Sequence, residues 1–311
     1  MTAFKVLPAI ALAGVLASAQ ASLAAEGGFS FYLPGTVGDI GLAQSSEPGL
    51  QVANTLFFMG GDVGTSVLQG KVNVGLDLTM ALNIVSASYT FEQEVLGATY
   101  TVGAGIPFGY AELEATITTA GGRSFSAKRD SFNIADIAVV PLELTWTIDN
   151  FSIQLSEAIY APTGAYDVDE VVNLGLNHWG FDTTLGVTYF NLETGTEVSV
   201  APGVIVNTRN DETDYRTGTE FHVDFTANQF LSETFAIGLR GYYYNQLTGD
   251  SGSGAILGDF KGESFGLGPG FLWLPEFAEG KLAVLGKWIH DFDATNRFES
   301  DYVTLTAAWT F

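Results

Sequence analysis

Residues 302–311, which read YVTLTAAWTF, decide the fold class because their side chains alternate in character with a period of two. The odd positions form an apolar set, and the even positions form a set of small or polar residues: Val303, Leu305, Ala307, Trp309 and Phe311 against Tyr302, Thr304, Thr306, Ala308 and Thr310. Successive side chains of a β-strand point to opposite faces of its sheet. The stretch therefore predicts a strand with one apolar face and one polar face.

The same alternation recurs along the chain, and charged residues fall on the face opposite the apolar one. It is clear over 72–82, 221–227 and 235–244. In a soluble sandwich the apolar face would form the core, whereas in a transmembrane barrel it meets lipid and the charged face lines a wet lumen. On the barrel interpretation, Leu239 and Leu305 face lipid while Arg240 and Thr306 face the lumen. The same logic places the apolar side of 72–82 toward lipid and Asp77 toward the lumen.

The spacing of the strands favours the barrel. Twelve strands are predicted, near 50–59, 71–90, 98–112, 134–148, 151–161, 179–191, 197–207, 219–231, 235–247, 263–274, 281–292 and 302–311. Short connections at 149–150, 191–196, 232–234 and 275–280 alternate with long ones at 113–133, 162–178, 208–218 and 248–262. Short turns on one rim and long loops on the other are typical of outer-membrane barrels. We therefore predict an all-β, transmembrane antiparallel barrel of about 12 strands in the outer membrane of a Gram-negative bacterium.

Composition excludes several classes of function. The chain of 311 residues has 12 Lys plus Arg against 35 Asp plus Glu, a formal net charge of −23. Nucleic-acid binding depends on Lys and Arg at phosphates, so we expect no nucleic-acid partner. Cysteine is absent, which removes disulfides and thiol chemistry. After the N-terminal region no apolar run is long enough to span a bilayer as a helix, so membrane insertion must use strands.

The first 49 residues divide into two predicted segments. Residues 1–25 begin with Lys5, continue with an apolar run over 6–17 and end in small residues, which predicts a signal peptide cleaved near Ala24 or Ala25. Residues 26–49 lack sustained alternation but carry several aromatic and aliphatic side chains, so we predict that they fold into the lumen as a plug, entering from the short-turn side. A free periplasmic tail is the alternative. Residues 50–311 are the predicted barrel.

Candidate binding residues follow from these assignments. We predict that a solute contacts aromatic residues of the N-terminal segment and polar or aromatic residues of the lumen wall: Phe29, Phe31 and Tyr32, with Glu220, His222, Asp224, Arg240, Tyr242 and Tyr244. Three of them, Glu220, His222 and Asp224, share one strand face and could hold a metal or a proton relay. A plain polar lumen wall is the favoured interpretation, and we predict no cofactor.

The lumen is expected to be acidic and narrow. The positions assigned to it include six acids and three bases: Asp77, Glu143, Asp182, Glu220, Asp224 and Asp291 with Lys71, Arg240 and Lys287. Charged rings set the sign of a permeant ion, so an ion-conducting form should prefer cations. Twelve strands enclose a narrower lumen than the 16–18 strands of open porins.

A barrel hydrolase is the enzymatic alternative, and the sequence disfavours it. A Ser–His nucleophile pair needs a base within hydrogen-bond reach of the hydroxyl. In twelve-stranded outer-membrane phospholipases a serine lies two residues before the histidine, whereas Leu176, Glu220 and Trp288 occupy those positions here. His290 and Asp291 are adjacent on a strand and so point to opposite faces. We predict that the protein is not an enzyme.

Several short motifs resemble one family. They are Phe31-Tyr32-Leu33-Pro34-Gly35, Asp136-Ile137, Tyr160-Ala161-Pro162-Thr163-Gly164-Ala165-Tyr166, Asn177-His178-Trp179, Leu192-Glu193-Thr194-Gly195, Thr213-Asp214-Tyr215-Arg216-Thr217-Gly218, Phe221-His222 and Gly241-Tyr242-Tyr243-Tyr244. The set resembles the MetA-pathway phenol-degradation family, which includes SphA-like proteins, and the resemblance is densest from about 134 to 311. It implies an outer-membrane barrel that transports aromatic or hydrophobic compounds.

These observations predict a channel for passive uptake of small, hydrophobic or aromatic, phenol-like molecules. Its partners would be the lipid bilayer, lipopolysaccharide and the solute, and we favour a monomer. The alternative is a structural or surface-binding barrel whose loops carry the function.

Overall fold

A computed structural model describes residues 25–36, 42–43, 46–67, 72–119, 122–255 and 260–311. Within these residues it contains thirteen β-strands: β1 Gly49–Val67, β2 Val72–Thr90, β3 Thr99–Thr119, β4 Ser124–Ile134, β5 Ile137–Ile148, β6 Phe151–Ala161, β7 Gly180–Asn191, β8 Thr196–Asn207, β9 Glu220–Ser232, β10 Phe235–Gln246, β11 Glu263–Trp273, β12 Leu282–Thr295 and β13 Glu299–Thr310. Short 3-10 turns cover Glu26–Gly28 and Glu276–Ala278. No helix among the described residues has the length and apolar character needed to cross a membrane.

Twelve of the strands form a closed antiparallel barrel. The ring runs from β1 through β2, β3 and β5 to β13, and it closes where β13 pairs with β1 from Gln51 and Thr310 to Asp62 and Glu299. Closure removes the unpaired strand edges that an open sheet would expose to lipid. The predicted all-β barrel of about 12 strands is therefore confirmed.

The thirteenth strand, β4, is an addition to the ring. It pairs with the long-loop half of β3, from Phe108 and Ile134 to Thr118 and Ser124, while β5 pairs with the other half of the same β3 edge. The prediction of a long loop over 113–133 is thus wrong, because much of that stretch forms the end of β3 and the hairpin to β4. Asp136 lies between β4 and β5 and accepts hydrogen bonds from the N–H groups of Thr163, Gly164 and Leu176. These bonds tie the 162–178 loop to the break between the two strands.

The first strands are longer than the rest of the barrel. β1 and β2 have 19 residues and β3 has 21, whereas β5 to β13 have 11 to 14. The register shows that the additional length of these strands lies on the long-loop side: β1 and β2 stay paired through Val67 and Val72, beyond the last pairing of β1 with β13 at Asp62. The barrel wall therefore rises higher at β1 to β4 than elsewhere.

The predicted orientation of the 72–82 stretch is inverted. Leu76, Leu78, Met80 and Leu82 point inward and are buried, at 2 to 5% exposure, whereas Asp77 is exposed on the outer surface. The inward residues pack with apolar residues of the 162–178 loop in one hydrophobic cluster. Alternation reveals that a strand has two different faces, but here the apolar face meets protein rather than lipid.

The other predicted faces agree with the structure. Leu239 and Leu305 expose 50% and 45% of their surface on the outside, and Arg240 is 2% exposed on the inside. Aromatic side chains near the strand ends also point outward and are exposed, among them Tyr89, Phe151, Trp179 and Trp273. Such residues suit the two interfacial belts of a membrane barrel. Lys71, assigned to the lumen from the sequence, lies outside the described residues.

Candidate functional site in the barrel lumen

Residues 25–36, here called the inner segment, lie inside the barrel. β1 begins at Gly49 on the short-turn rim, next to Phe311, while the backbone N–H of Ala25 contacts Asp250 on the long-loop rim. Ala43, farther along the chain, donates its N–H to the Thr188 hydroxyl, 3.0 Å away. Thr188 lies in the half of the lumen nearer the short-turn rim. The described parts of the N-terminal region therefore lie at the long-loop rim, inside the lumen and at the short-turn rim. Residues 37–41 and 44–45 lie outside the described residues. Control of passage by this segment stays a prediction.

The lumen wall has two chemically different sides. Apolar inward residues of β2 and β3 form one side: Leu76, Leu78, Met80, Leu82, Ala111, Leu113 and Ala115. Buried polar and charged residues of β7 to β12 form the other: Asp182, Glu197, Glu220, His222, Asp224, Arg240, Lys287 and Asp291. We call these the apolar wall and the polar wall. The inner segment lies between them and presents different side chains to each.

Tyr32 is the main contact of the inner segment with the polar wall. Its ring stacks on His222, with centroids 4.5 Å apart, and on Tyr244 at 5.8 Å. Its hydroxyl donates to Asp224 Oδ2 over 2.8 Å. His222 in turn has Nε2 3.1 Å from Asp182 and Nδ1 3.5 Å from Asp224. The histidine is thus held between two carboxylates and covered by an aromatic ring.

Glu220 forms a second attachment point for the inner segment. Its carboxylate accepts hydrogen bonds from the Ser30 hydroxyl, from the Tyr244 hydroxyl at 2.7 Å and from the Asn207 amide at 2.6 Å. The guanidinium of Arg297 lies over the Tyr244 ring, 3.9 Å from its centroid, in a cation–π arrangement. Tyr32 and Ser30 thus bind neighbouring carboxylates of one strand, β9.

The third attachment is nearer the middle of the lumen. Lys287 donates from Nζ to the carbonyl oxygen of Gly35. Four residues farther along β12, Asp291 accepts hydrogen bonds from Tyr242 and from Tyr302, the latter at 3.1 Å. A buried carboxylate is tolerated where donors surround it. The polar wall therefore holds the inner segment at three places, through Ser30, Tyr32 and Gly35.

On the other side of the segment, Phe31 packs against aromatic residues near the apolar wall. Its ring stacks on Tyr160 at 4.7 Å and meets His178 edge to face at 5.0 Å. Gly180 makes this position possible, since a Cβ there would lie 2.4 Å from the Phe31 ring. Phe31 and Tyr32, which are adjacent in the chain, thus face opposite sides of the lumen.

An apolar cavity of about 100 Å³ opens between Phe31 and the wall. Its lining is predominantly apolar and combines the inner segment, the strand break and the 162–178 loop: Phe29, Phe31, Leu33, Met80, Leu82, Pro107, Ala135, Ala138, Tyr160, Leu174 and Leu176, with Ser30, Asp136 and Asn173. A further cavity of about 120 Å³ lies toward the long-loop rim, and one of about 350 Å³ lies on the short-turn side. The last includes Thr36, Thr55, Ser86, Thr304 and Thr306 in its lining.

The structure brings most of the predicted binding residues together. Tyr32, Glu220, His222, Asp224 and Tyr244 share one network, and Tyr242 lies at its edge with its ring 5.9 Å from Tyr32. Phe31 and Phe29 instead line the apolar cavity on the opposite side. Arg240 is placed farther along β10 and donates to Asn228. Solute binding by these nine residues stays a prediction.

Sequence reasoning missed the contribution of the 162–178 loop. Val172 and Leu174 are buried in the hydrophobic cluster, with Leu176 partly buried against it, and Tyr160 and His178 receive Phe31. The alternation of apolar residues at 172, 174 and 176 was a usable signal, because a solvated loop has no need of it.

The histidines were candidates for metal binding or for Ser–His catalysis. The described residues contain no group of three His, Asp or Glu side chains arranged to hold a metal ion. Glu220, His222 and Asp224 are buried in the polar wall. His178 pairs with the Leu176 carbonyl, His222 with two carboxylates and His290 with Asp301, so no serine contacts a histidine in this part of the chain. His290 faces outward and Asp291 inward, as predicted from their adjacency.

The fold and the lumen define a transmembrane β-barrel of the outer-membrane class whose interior is occupied by its own N-terminal segment. In sequence, residues 61–307 match the family described as "Putative MetA-pathway of phenol degradation". The chain therefore belongs to that family, as its motifs suggested. None of the curated proteins matches the chain.

A solved structure shows the same fold. The COG4313 outer membrane channel from Pseudomonas putida F1 is similar with a TM-score of 0.70 and 15% identity, over 88% of this chain and 99% of that one. The transport unit of the autotransporter AIDA-I from Escherichia coli has a TM-score of 0.46 and 11% identity, over 96% of this chain and 98% of that one. The first likeness supports the barrel architecture.

Proposed function

We propose that the protein is a channel, not an enzyme, for passive movement of small apolar or aromatic molecules across the outer membrane. The apolar cavity beside Phe31 and Tyr160 carries this proposal. Ligand sites are concave and mostly apolar, with a few polar groups that orient the ligand. Asp136, Ser30 and Asn173 are the polar residues beside this cavity, and a phenolic hydroxyl would have hydrogen-bonding partners there.

The proposed route follows the three cavities. A solute enters among the long loops, occupies the apolar cavity and leaves through the larger, more polar cavity on the short-turn side. Burial of apolar surface is favourable by roughly 25 cal/mol per Å². Release into a lumen lined by threonine and serine limits that gain, and conduction requires binding weak enough for the solute to leave.

The inner segment is the proposed gate. It lies between the two cavities nearer the long loops and the larger cavity on the short-turn side. Ser30, Tyr32 and Gly35 hold it to the polar wall. A solute entering from the apolar side competes with the ring contacts of Phe31 rather than with these hydrogen bonds. The segment can therefore yield on one side while it stays attached on the other.

The family description and the channel from Pseudomonas putida support this proposal by analogy. The family name refers to phenol degradation, and we extend it here to phenol-like solutes. We further propose that the barrel acts as a monomer in the bilayer with its long loops in the lipopolysaccharide layer.

Liposome swelling with phenols, fatty acids and sugars tests the function. Ala138→Trp fills the apolar cavity, whereas Ala307→Trp makes the same replacement on the outward face of β13. We expect the first variant to lose uptake of phenols and the second to retain it. Uptake of sugars as fast as phenols by the wild-type protein, or equal uptake by both variants, would contradict the proposal.

A further inference from the structure

Ala25 occupies a closed site at the long-loop rim. It is fully buried, and its backbone nitrogen lies 3.1 Å from Oδ2 of Asp250. Its carbonyl oxygen accepts the Gly28 N–H at 3.0 Å, and the next residue, Glu26, donates its N–H to the Thr217 hydroxyl at 3.4 Å. The backbone of Ala25 and Glu26 is therefore bound here by specific polar contacts.

Asp250 is a buried carboxylate surrounded by neutral donors. It is 5% exposed and accepts hydrogen bonds from the Tyr215 hydroxyl at 2.6 Å, the Gly218 N–H at 3.0 Å and the Gln246 amide at 2.6 Å. Burial, together with the hydrogen bond and charge of Asp250, raises the pKa of Tyr215, which stays a neutral donor. Across the described residues, no Lys, Arg or His side chain lies within ion-pair distance of Asp250. Hydrogen bonds reduce the cost of burying a carboxylate, and pairing with a cation reduces it further.

The backbone at Ala25 is unusual as well. Its φ is +64°, in the left-handed region that is unfavourable for alanine. The angle φ is defined by the carbonyl carbon of the preceding residue. A chain that begins at Ala25 has no such atom, so the strain disappears when the bond before Ala25 is cut.

We propose that signal peptidase cleaves between Ala24 and Ala25 and that the new α-ammonium of Ala25 forms an ion pair with Asp250. Water adds across the peptide bond, leaving a carboxylate on Ala24 and an amine on Ala25 that takes up a proton. Ser22 and Ala24 supply the small residues that signal peptidase requires before the cut. The ammonium provides a cation for Asp250, which no described Lys, Arg or His side chain does.

Cleavage of the signal peptide then fixes the inner segment in the lumen. The ion pair fixes residue 25 at the long-loop rim, eleven positions before Thr36, the last residue of the inner segment, so the segment is held at both ends and along its length. In the precursor the same position carries a neutral amide and a strained φ. Removal of the signal peptide therefore strengthens the binding of the inner segment inside the barrel. This inference rests on the predicted signal peptide and the position of Ala25, and it is independent of the solute.

N-terminal sequencing and amine labelling test the proposal. Protein extracted from outer membranes should begin with Ala25. Its α-amine should react with an acylating reagent at least roughly tenfold more slowly in the folded barrel than in denatured protein, because reaction requires local opening of the site. The N-terminal peptide, analysed by mass spectrometry, separates this amine from lysines. Asp250→Asn should raise the labelling rate of the folded protein close to the denatured value.

Asp211→Asn is the matched control, since Asp211 is an exposed loop acid near the same rim. It should leave labelling unchanged, and heat-modifiability on a gel should show that both variants form the barrel. A mature chain that starts at Glu26, or equal protection of the α-amine in the wild-type protein and a folded Asp250→Asn variant, would overturn the proposal. Liposome swelling is scored separately, so failure here leaves the channel function untouched.

Discussion

The rings of Tyr32 and His222 stack inside the barrel with centroids 4.5 Å apart and planes inclined by 22°. Tyr32 belongs to the inner segment and His222 to β9, so this contact joins the gate to the wall. The tyrosine hydroxyl also donates to Asp224, which lies 3.5 Å from the same imidazole. One side chain thereby donates to a buried carboxylate and covers a buried histidine.

Substitution of Tyr32 should weaken the attachment of the inner segment in two steps. Tyr32→Phe keeps the stacking but removes a hydrogen bond to a charged acceptor, worth roughly 1.5–3 kcal/mol. A loss of about 1.4 kcal/mol raises the population of the displaced segment roughly tenfold. Single-channel recording should show more frequent openings for Tyr32→Phe and more again for Tyr32→Ala. Tyr243→Phe, on the outward face of β10, should match the wild-type protein, and identical traces for all four proteins would refute the attachment.

Deletion of residues 29–42 tests the segment as a gate. The deletion removes Phe29, Phe31 and Tyr32, so we expect higher ion conductance and weaker discrimination among hydrophobic solutes. The barrel should still fold, because its strands pair without the segment. Heat-modifiability on a gel verifies folding. Unchanged conductance in a folded deletion variant would show that the segment does not control the lumen.

An arginine should destabilise the barrel much more on the outward face of the wall than on the inward face. Leu239 lies on the outward face, so Leu239→Arg should cost roughly 2–4 kcal/mol in a refolding titration if the residue is near the bilayer midplane. Thr306→Arg places the same charge toward the lumen cavity and should cost much less. Gly238 cannot serve as the control, because a Cβ there would lie 2.2 Å from the Ala227 carbonyl oxygen. Equal costs at 239 and 306 would reverse the face assignment.

The lumen should prefer cations if it conducts ions. Among the described residues, more acidic than basic side chains line the lumen: Glu143, Asp182, Glu197, Glu220, Asp224 and Asp291 against Arg240, Lys287 and Arg297. Like charges lining a pore attract counter-ions. Reversal potentials in a KCl gradient should show cation preference, and Glu143→Gln, in the short-turn half of the lumen, should reduce it. Anion preference in the wild-type protein would disprove this prediction.

Replacement of Glu157 by an apolar residue should stabilise the barrel. It lies on the outward face of β6 between Leu155 and Ile159, and it accepts a 2.5 Å hydrogen bond from Thr183. Charged side chains on the lipid face are destabilising, with acids less so than Arg or Lys. Glu157→Leu should therefore raise the unfolding free energy by about 1 kcal/mol in a bilayer refolding assay. Ser156→Leu, on the inward face, should not, and a clear loss of stability in Glu157→Leu would point to a partner at this position.

The sequence by itself determined the architecture. The alternation over 302–311 and its repeats predicted twelve strands, because a β-strand places neighbouring side chains on opposite faces. Alternating loop lengths then distinguished a barrel from a sandwich. The exposure of Leu239 and Leu305 and the burial of Arg240 follow the same local rule, which needs no knowledge of distant contacts.

Tertiary structure alone decided which apolar face meets lipid and which meets protein. The β2 residues Leu76 to Leu82 have the same alternation as β10, yet they face inward because the long strands rise beside the 162–178 loop and the inner segment. The site itself joins residues 190 or more positions apart, such as Ser30 with Glu220 and Tyr32 with Asp224. The alternation of side chains indicates only the two faces of a single strand. The contacts of the site depend instead on barrel closure and on the path of the chain through the lumen.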